Sequence, residues 1–155
     1  MILEYAQLMS TAHRLLDGTQ SVAKINNRNR RIWTLPDHRE QIIYKPVSWN
    51  HPSAIWVRKS RDNYSWLYQL MVSLCKEYTY RYGKTHKVEA SGLMDKLWVV
   101  PAGIPEHSKF TELPQAMPND VKVPGDSIAA YHNYYRVYKK RFATWKNREI
   151  PNWYK

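Results

Sequence analysis

Apolar side chains recur at helical spacing from the second residue onward. Ile2, Leu3, Ala6, Leu8, Met9, Ala12, Leu15 and Leu16 predict an amphipathic helix over 2–17, ended near Asp17-Gly18. No capping residue precedes it, as expected of a fragment or a late start. Periodicity then fades over 18–50. The run Lys24-Ile25-Asn26-Asn27-Arg28-Asn29-Arg30-Arg31 holds four cations and no acid. It reads as a mobile loop that contacts phosphate, with Trp33, Ile42, Ile43, Tyr44 and Val47 tethering its far side. A short strand at 41–44 is an option, but the pattern supports no sheet.

Pro52 suits the first turn of a second helix. The longest periodic segment runs from Ser53 to about Tyr82, as one helix or as two with a break near Ser60–Asn63 and Ser60 as cap. Ile55, Trp56 and Lys59 mark one face before the break. Trp66 or Leu67, Leu70, Leu74 and Tyr78 mark the core face after it, and Gly83 is the stop. Pro101, Pro105, Pro114, Pro118 and Pro124 punctuate 84–125, which leaves room for a helix only at 88–99. Trp98, Val99, Val100, Ile104, Phe110 and Leu113 are the anchors expected to order that long loop. A last helix is predicted from Ser127 to Asn147, capped by Asp126 or Ser127. Its core stripe is Ile128, Tyr131, Tyr134 or Tyr135, Tyr138, Phe142 and Trp145, with Pro151 as stop and Trp153-Tyr154 folding back. The pattern as a whole predicts a mainly α protein, a compact single helical domain over 1–155 with long ordered loops.

Composition narrows the function. The 155 residues include 24 Lys and Arg against 13 Asp and Glu, a formal charge of +11, together with 12 Tyr and 7 Trp. The aromatics exclude a disordered basic tail. No run of 18 apolar residues is present, so no membrane partner is expected. One cysteine excludes a disulfide scaffold and a four-Cys zinc finger. Cys75 sits in a helical pattern and reads as a buried thiol. No secretory signal is visible, so a cytoplasmic setting is expected, that of the host if the protein is viral. The field of +11 calls for a polyanion, DNA more than RNA, or an acidic protein partner.

Glu77, Arg81, Lys84 and His86 form the most suggestive cluster. Glu77 and Arg81 are four apart on one helix face and can pair. Together the four can be a structural ion pair at a helix end, or a phosphate site with Glu77 as base or electrostatic stabiliser. Asn50-His51-Pro52 places two polar side chains at a helix N-terminus, with Arg58 and Asn63 within reach. His13 lies inside the first helix and reads as a partly buried, satisfied histidine. Six histidines at 13, 38, 51, 86, 107 and 132 have no short paired spacing, and no metal or other cofactor is implied. No glycine-rich phosphate loop and no nucleophile elbow occur. The candidate catalytic residues are therefore Glu77, His86 and His51. The candidate nucleic-acid contacts are Arg28, Arg30, Arg31, Arg58, Arg81, Lys84, Arg136, Lys139, Lys140 and Lys146. Tyr134 or Tyr135 is the ring of the C-terminal ladder best placed to stack on a base, the rest being core.

Ser10-Thr11-Ala12-His13, Asn50-His51-Pro52, the run from Glu77 to Lys84 with His86, and Trp145-Lys146-Asn147-Arg148 with Pro151 and Trp153 carry a resemblance. The chain resembles, from Ile2 to Trp153, a family of small uncharacterised bacterial and phage proteins. That resemblance implies an upstream polar segment with a Cys and a His, which this sequence, starting at Met1-Ile2-Leu3, does not include. A fainter likeness is to phage pyrimidine-dimer glycosylases, which are small, basic, helical and end in a similar Trp153-Tyr154-Lys155. It implies DNA repair by an N-terminal amine nucleophile and a nearby glutamate. Here bulky Ile2 follows Met1, and neither Glu4 nor Glu77 matches a motif. The expected function is nucleic-acid binding, extending to a DNA-processing or damage-recognising enzyme acting on the sugar–base or phosphodiester linkage. The alternative is a non-catalytic viral accessory or assembly protein.

Overall fold

Helix α1 spans Ile2–Asp17 in the computed structural model, which describes residues Met1–Lys155. Ile2, Ala6, Met9 and Ala12 bury the apolar stripe, and Ser10, Thr11, His13 and Arg14 are buried beside it. The helix is therefore covered on more than one side, packing on α3 (Pro52–Lys59) and α4 (Arg61–Tyr82). It ends at Gly18 as the sequence predicts, but for a different reason. Gly18 has an ordinary φ of −93°. Glycine is needed because a Cβ there would lie 2.4 Å from the Arg14 carbonyl oxygen and 3.2 Å from that of Thr34.

Gly18 leads directly into β1 (Thr19–Ile25), which pairs antiparallel with β2 (Arg28–Thr34), Thr19 opposite Thr34 and Ile25 opposite Arg28. The basic stretch is thus the distal half of a two-stranded ribbon, not a loop. Asn26 and Asn27 hold φ of 49° and 60°, the left-handed pair that a two-residue hairpin turn requires. Asparagine tolerates that region better than most side chains. No strand forms at 41–44. Residues Arg39–Ile42 make a one-turn helix, α2, and Ile43 continues as extended chain.

The long central segment breaks at Ser60, as predicted. Ser60 ends α3 and caps α4, its hydroxyl accepting from the Asp62 and Asn63 amides and donating to the Lys109 carbonyl at 2.6 Å. Ala54, Trp56, Val57, Tyr64, Leu67, Met71 and Cys75 are buried along these helices. Ile55 is exposed, so it does not share a core face with Trp56. Leu67 is the buried member of the Trp66–Leu67 pair. Trp66 lies against Trp56 and Phe110 instead. Gly83 ends α4 with a left-handed φ of 61°.

Two short helices replace the predicted one at 88–99. They are α5 (Lys87–Ala90) and α6 (Leu93–Leu97), separated where Gly92 takes φ 73°. Leu93, Leu97, Pro101 and Ile104 anchor this region, whereas the expected anchors Trp98 and Val99 are 68% and 59% exposed. These elements belong to one compact unit, Met1–Thr111. A second comprises Glu112–Lys155.

In the second unit α7 covers only Ser127–Tyr138, capped by the Asp126 carboxylate accepting from the Ala129 amide at 2.9 Å. A 3-10 turn follows at Lys140–Phe142. The predicted helix to residue 147 is cut short because the tail folds back. Asn147 turns the chain with φ 56°. Trp153 then stacks on His132 with centroids 4.2 Å apart and planes at 7°, and its carbonyl accepts from Arg136. Tyr134 and Tyr135 are both half-buried and touch each other edge to face. The chain is predominantly helical, with long loops, and no helix is long and apolar enough to cross a membrane.

Candidate nucleic-acid interface

The ribbon's cations divide between its faces by the two-residue period of a strand. Arg28 and Arg30 share one face. Lys24, Asn29, Arg31 and Trp33 share the other, because Lys24 is opposite Asn29, Val22 opposite Arg31 and Gln20 opposite Trp33. All four cations are exposed, and no acidic side chain pairs with any of them. Arg28 and Arg30 sit about 6.7 Å apart along the strand. A ribbon of this kind has the cross-section of an element that enters a nucleic-acid groove.

Trp33, at the base of the ribbon, is buried and meets Trp49 at 5.0 Å. Between the ribbon and the strap that carries Trp49 runs an open groove of about 540 Å³, lined by Val22, Asn29, Arg30, Arg31, Pro46 and Trp49. Trp49 is held from behind. Arg58 Nη1 donates to the Trp49 carbonyl at 2.7 Å and to the Ala54 carbonyl at 2.9 Å. Burial lowers the Arg58 pKa. Arg58 was predicted as a phosphate contact, and the structure engages it in shaping the strap.

Arg14 anchors the whole region. Fully buried, it donates to the carbonyls of Trp33 (3.1 Å), Tyr44 (3.1 Å), Ile43 (2.6 Å) and Glu40 (2.9 Å), and pairs with the Glu40 carboxylate. One guanidinium thereby ties α1 to the ribbon's last strand and to the chain after it. Burial works to raise the Glu40 pKa, but Lys45, the Leu35 amide and Arg14 outweigh it and bring the carboxyl down to about 2.

A second polar cluster surrounds His13. Tyr64 hydroxyl donates to the Leu97 carbonyl at 2.9 Å, so His13 Nε2–H donates to Tyr64 Oη at 2.8 Å. His13 Nδ1 then accepts from Arg39 Nη1 at 3.0 Å. The network assigns a neutral ring with its proton on Nε2. Burial, followed by the Arg39 charge, lowers the His13 pKa from 6.5 to about 4. Arg39 also pairs with Asp17 at 2.6 Å and with Asp37, whose carboxyl its hydrogen bonds hold down at about 2. Beside this cluster lies a cleft of about 350 Å³, where Asp17, Arg39, Asp95 and Lys96 meet Val99 and Val100. His13 itself has no exposed surface, so the cluster braces the fold.

Each of the three predicted catalytic residues is engaged locally. Glu77 pairs with Arg81 at 2.7 Å near the end of α4, as their spacing predicts. His86 begins α5, its Nδ1 accepting from the Val88 amide at 3.2 Å and its ring lying 5.0 Å from Tyr78. His51 does the same work at the start of α3, accepting from the Ser53 amide at 3.2 Å. Lys84 is exposed beyond Gly83. In the second unit Lys140 and Lys146 are exposed, while Lys139 lies over the Tyr134 and Phe142 rings at 5.3 and 5.8 Å. Arg136 is joined to the Trp153 carbonyl. No group of three or more His, Cys, Asp or Glu side chains is placed to hold a metal ion. Cys75 is buried, and burial raises its thiol pKa.

Sequence reasoning passed over Asn29 and Trp49 as groove residues, and Arg14, Asp17, Arg39 and Tyr64 as network members. The one signal within reach was Asn26-Asn27, which marks the hairpin and so fixes which ribbon residues share a face. Set against protein-family models, curated proteins and solved structures, the chain matches none.

Proposed function

We propose that this protein binds nucleic acid, with the ribbon of β1 and β2 as its phosphate-contacting arm. The observation that carries the reading is the set Lys24, Arg28, Arg30 and Arg31, exposed on a paired ribbon with no acidic partner. An unneutralised set of this kind repels itself unless a polyanion joins it. The ribbon's fixed register gives the cations a defined spacing, so less ordering remains for binding to impose than in a free loop. Duplex DNA is the first substrate to test, because a major groove accepts a two-stranded ribbon.

The test is fluorescence anisotropy with labelled duplex DNA, single-stranded DNA and RNA over a range of salt. Micromolar or tighter binding that falls steeply with salt is expected. The combined variant Arg28→Ala, Arg30→Ala, Arg31→Ala should lower the log–log salt slope on duplex DNA by about 2.7. An unchanged slope would remove the ribbon from the interface. No affinity at low salt would assign the charge to an acidic protein partner, as in an accessory or assembly role. The same samples on a denaturing gel test for DNA processing. Product bands that vanish in Glu77→Gln and His86→Ala would add catalysis at the end of α4, and their absence in the wild type would leave a binder.

A further inference from the structure

We infer that the groove between the ribbon and the Pro46–Trp49 strap accepts one unstacked nucleobase, which makes nucleic acid with an unpaired base the preferred substrate of this surface. The inference rests on the phosphate-contact reading above and specifies what that surface selects.

The groove's volume of about 540 Å³ falls within the range of small-ligand sites. Its lining matches the parts of one nucleotide. Trp49 supplies an indole, on which any base can stack. Asn29 supplies an amide that donates and accepts, as a base edge demands. Arg31 lies two residues from Asn29 on the same ribbon face, placed for the flanking phosphate, and Val22 beside it offers an apolar wall.

Trp49 is also set rigidly. Ser48 before it takes φ 44°, a left-handed conformation unusual for serine. The turn it makes is closed by the His51 amide donating to the Ser48 carbonyl at 2.8 Å. Arg58 fixes the Trp49 carbonyl, and Trp33 meets the indole. An aromatic side chain held by a strained turn, a half-buried arginine and a second tryptophan stands ready without rearrangement. A fully paired duplex keeps its bases stacked inside and leaves the groove unfilled, so it gains only the phosphate contacts. A single strand or a bulged base gains both.

The experiment compares binding of the full chain to three labelled oligonucleotides: a perfect duplex, the same duplex with a one-nucleotide bulge, and one of its single strands. Wild type is expected to favour the bulged duplex and the single strand by about tenfold. Trp49→Leu should abolish that preference while keeping affinity for the perfect duplex. Trp49→Phe, which retains a stacking ring, should restore most of it, and shows that loss in the leucine variant is not unfolding. Trp98→Leu, an exposed tryptophan outside the groove, should change nothing. Equal wild-type affinity for all three overturns the inference and leaves phosphate contact standing. A preference that survives Trp49→Leu overturns it too. No binding to any of the three overturns both readings.

Discussion

Arg14 is the residue on which most of the first unit's polar arrangement converges. It has no exposed surface, and its acceptors are four carbonyls and the Glu40 carboxylate. Arg14→Met fills a similar volume but takes the guanidinium donors from the four carbonyls, while the Glu40 carboxylate keeps Lys45 and the Leu35 amide. The expected loss is about 3 kcal/mol, read as a lower urea midpoint at unchanged slope. A loss below about 1 kcal/mol would show that water reaches the site. His13 makes a pH-dependent contribution of definite sign. Its folded pKa is about 4 and its ordinary value 6.5. The unfolded chain therefore binds the proton more readily, and stability present above pH 6.5 is lost as pH falls toward 4. The groups facing the ring are Tyr64, Arg39, Asp17 and Asp37. The full effect is about 3 kcal/mol. Urea titrations at pH 7.5 and 4.5 should show most of it, and His13→Gln, whose amide can still donate to Tyr64, should remove that difference. The carboxyls of Asp37 and Glu40, both held at about 2, lose their contribution as pH falls below their ordinary values of 3.8 and 4.5, so only the start of that loss enters this window.

Between elements, the junctions carry testable weight. Ser60 both caps α4 and bonds to the Lys109 carbonyl, so Ser60→Ala should cost about 1–2 kcal/mol by thermal or urea unfolding. In the ribbon, Asn27→Gly should slow exchange of the β1 and β2 amides, because glycine takes the left-handed φ of 60° more easily than asparagine. Asn27→Val should speed it. Junctions were also where the sequence spoke most clearly. Gly18, Ser60, Gly83 and Asp126 mark boundaries through side chains, or their lack, that act locally. The ribbon was hidden because nearly all its residues are exposed on both faces, which leaves no alternation of apolar and polar positions to read. The end of α7 was hidden because it is set by Trp153 returning to His132, some twenty residues away in sequence. The basic arm of the interface was legible as charge. Trp49 and Asn29 were not, since they meet in one groove only through the Ser48 turn and the ribbon's register.

Charge is a property of the whole molecule, and it is not confined to the ribbon. Residues 136–148 carry Arg136, Lys139, Lys140, Arg141, Lys146 and Arg148 without an acid. Several of these are occupied. Lys139 and Arg141 lie over Phe142, and Arg136 holds the Trp153 carbonyl. Lys140 and Lys146 are exposed. If both units touch the same polyanion, each contact displaces its own counterions and the salt slopes add. Lys140→Gln with Lys146→Gln should then lower the slope on duplex DNA by up to about 1.8, and combining it with the ribbon triple variant by up to about 4.5. Affinity should fall further than either set alone produces, because two tethered contacts raise each other's effective concentration. A slope that responds to the ribbon variant and ignores the lysine pair would instead confine binding to the first unit. The charge of the second unit would then serve solubility or a different, acidic partner.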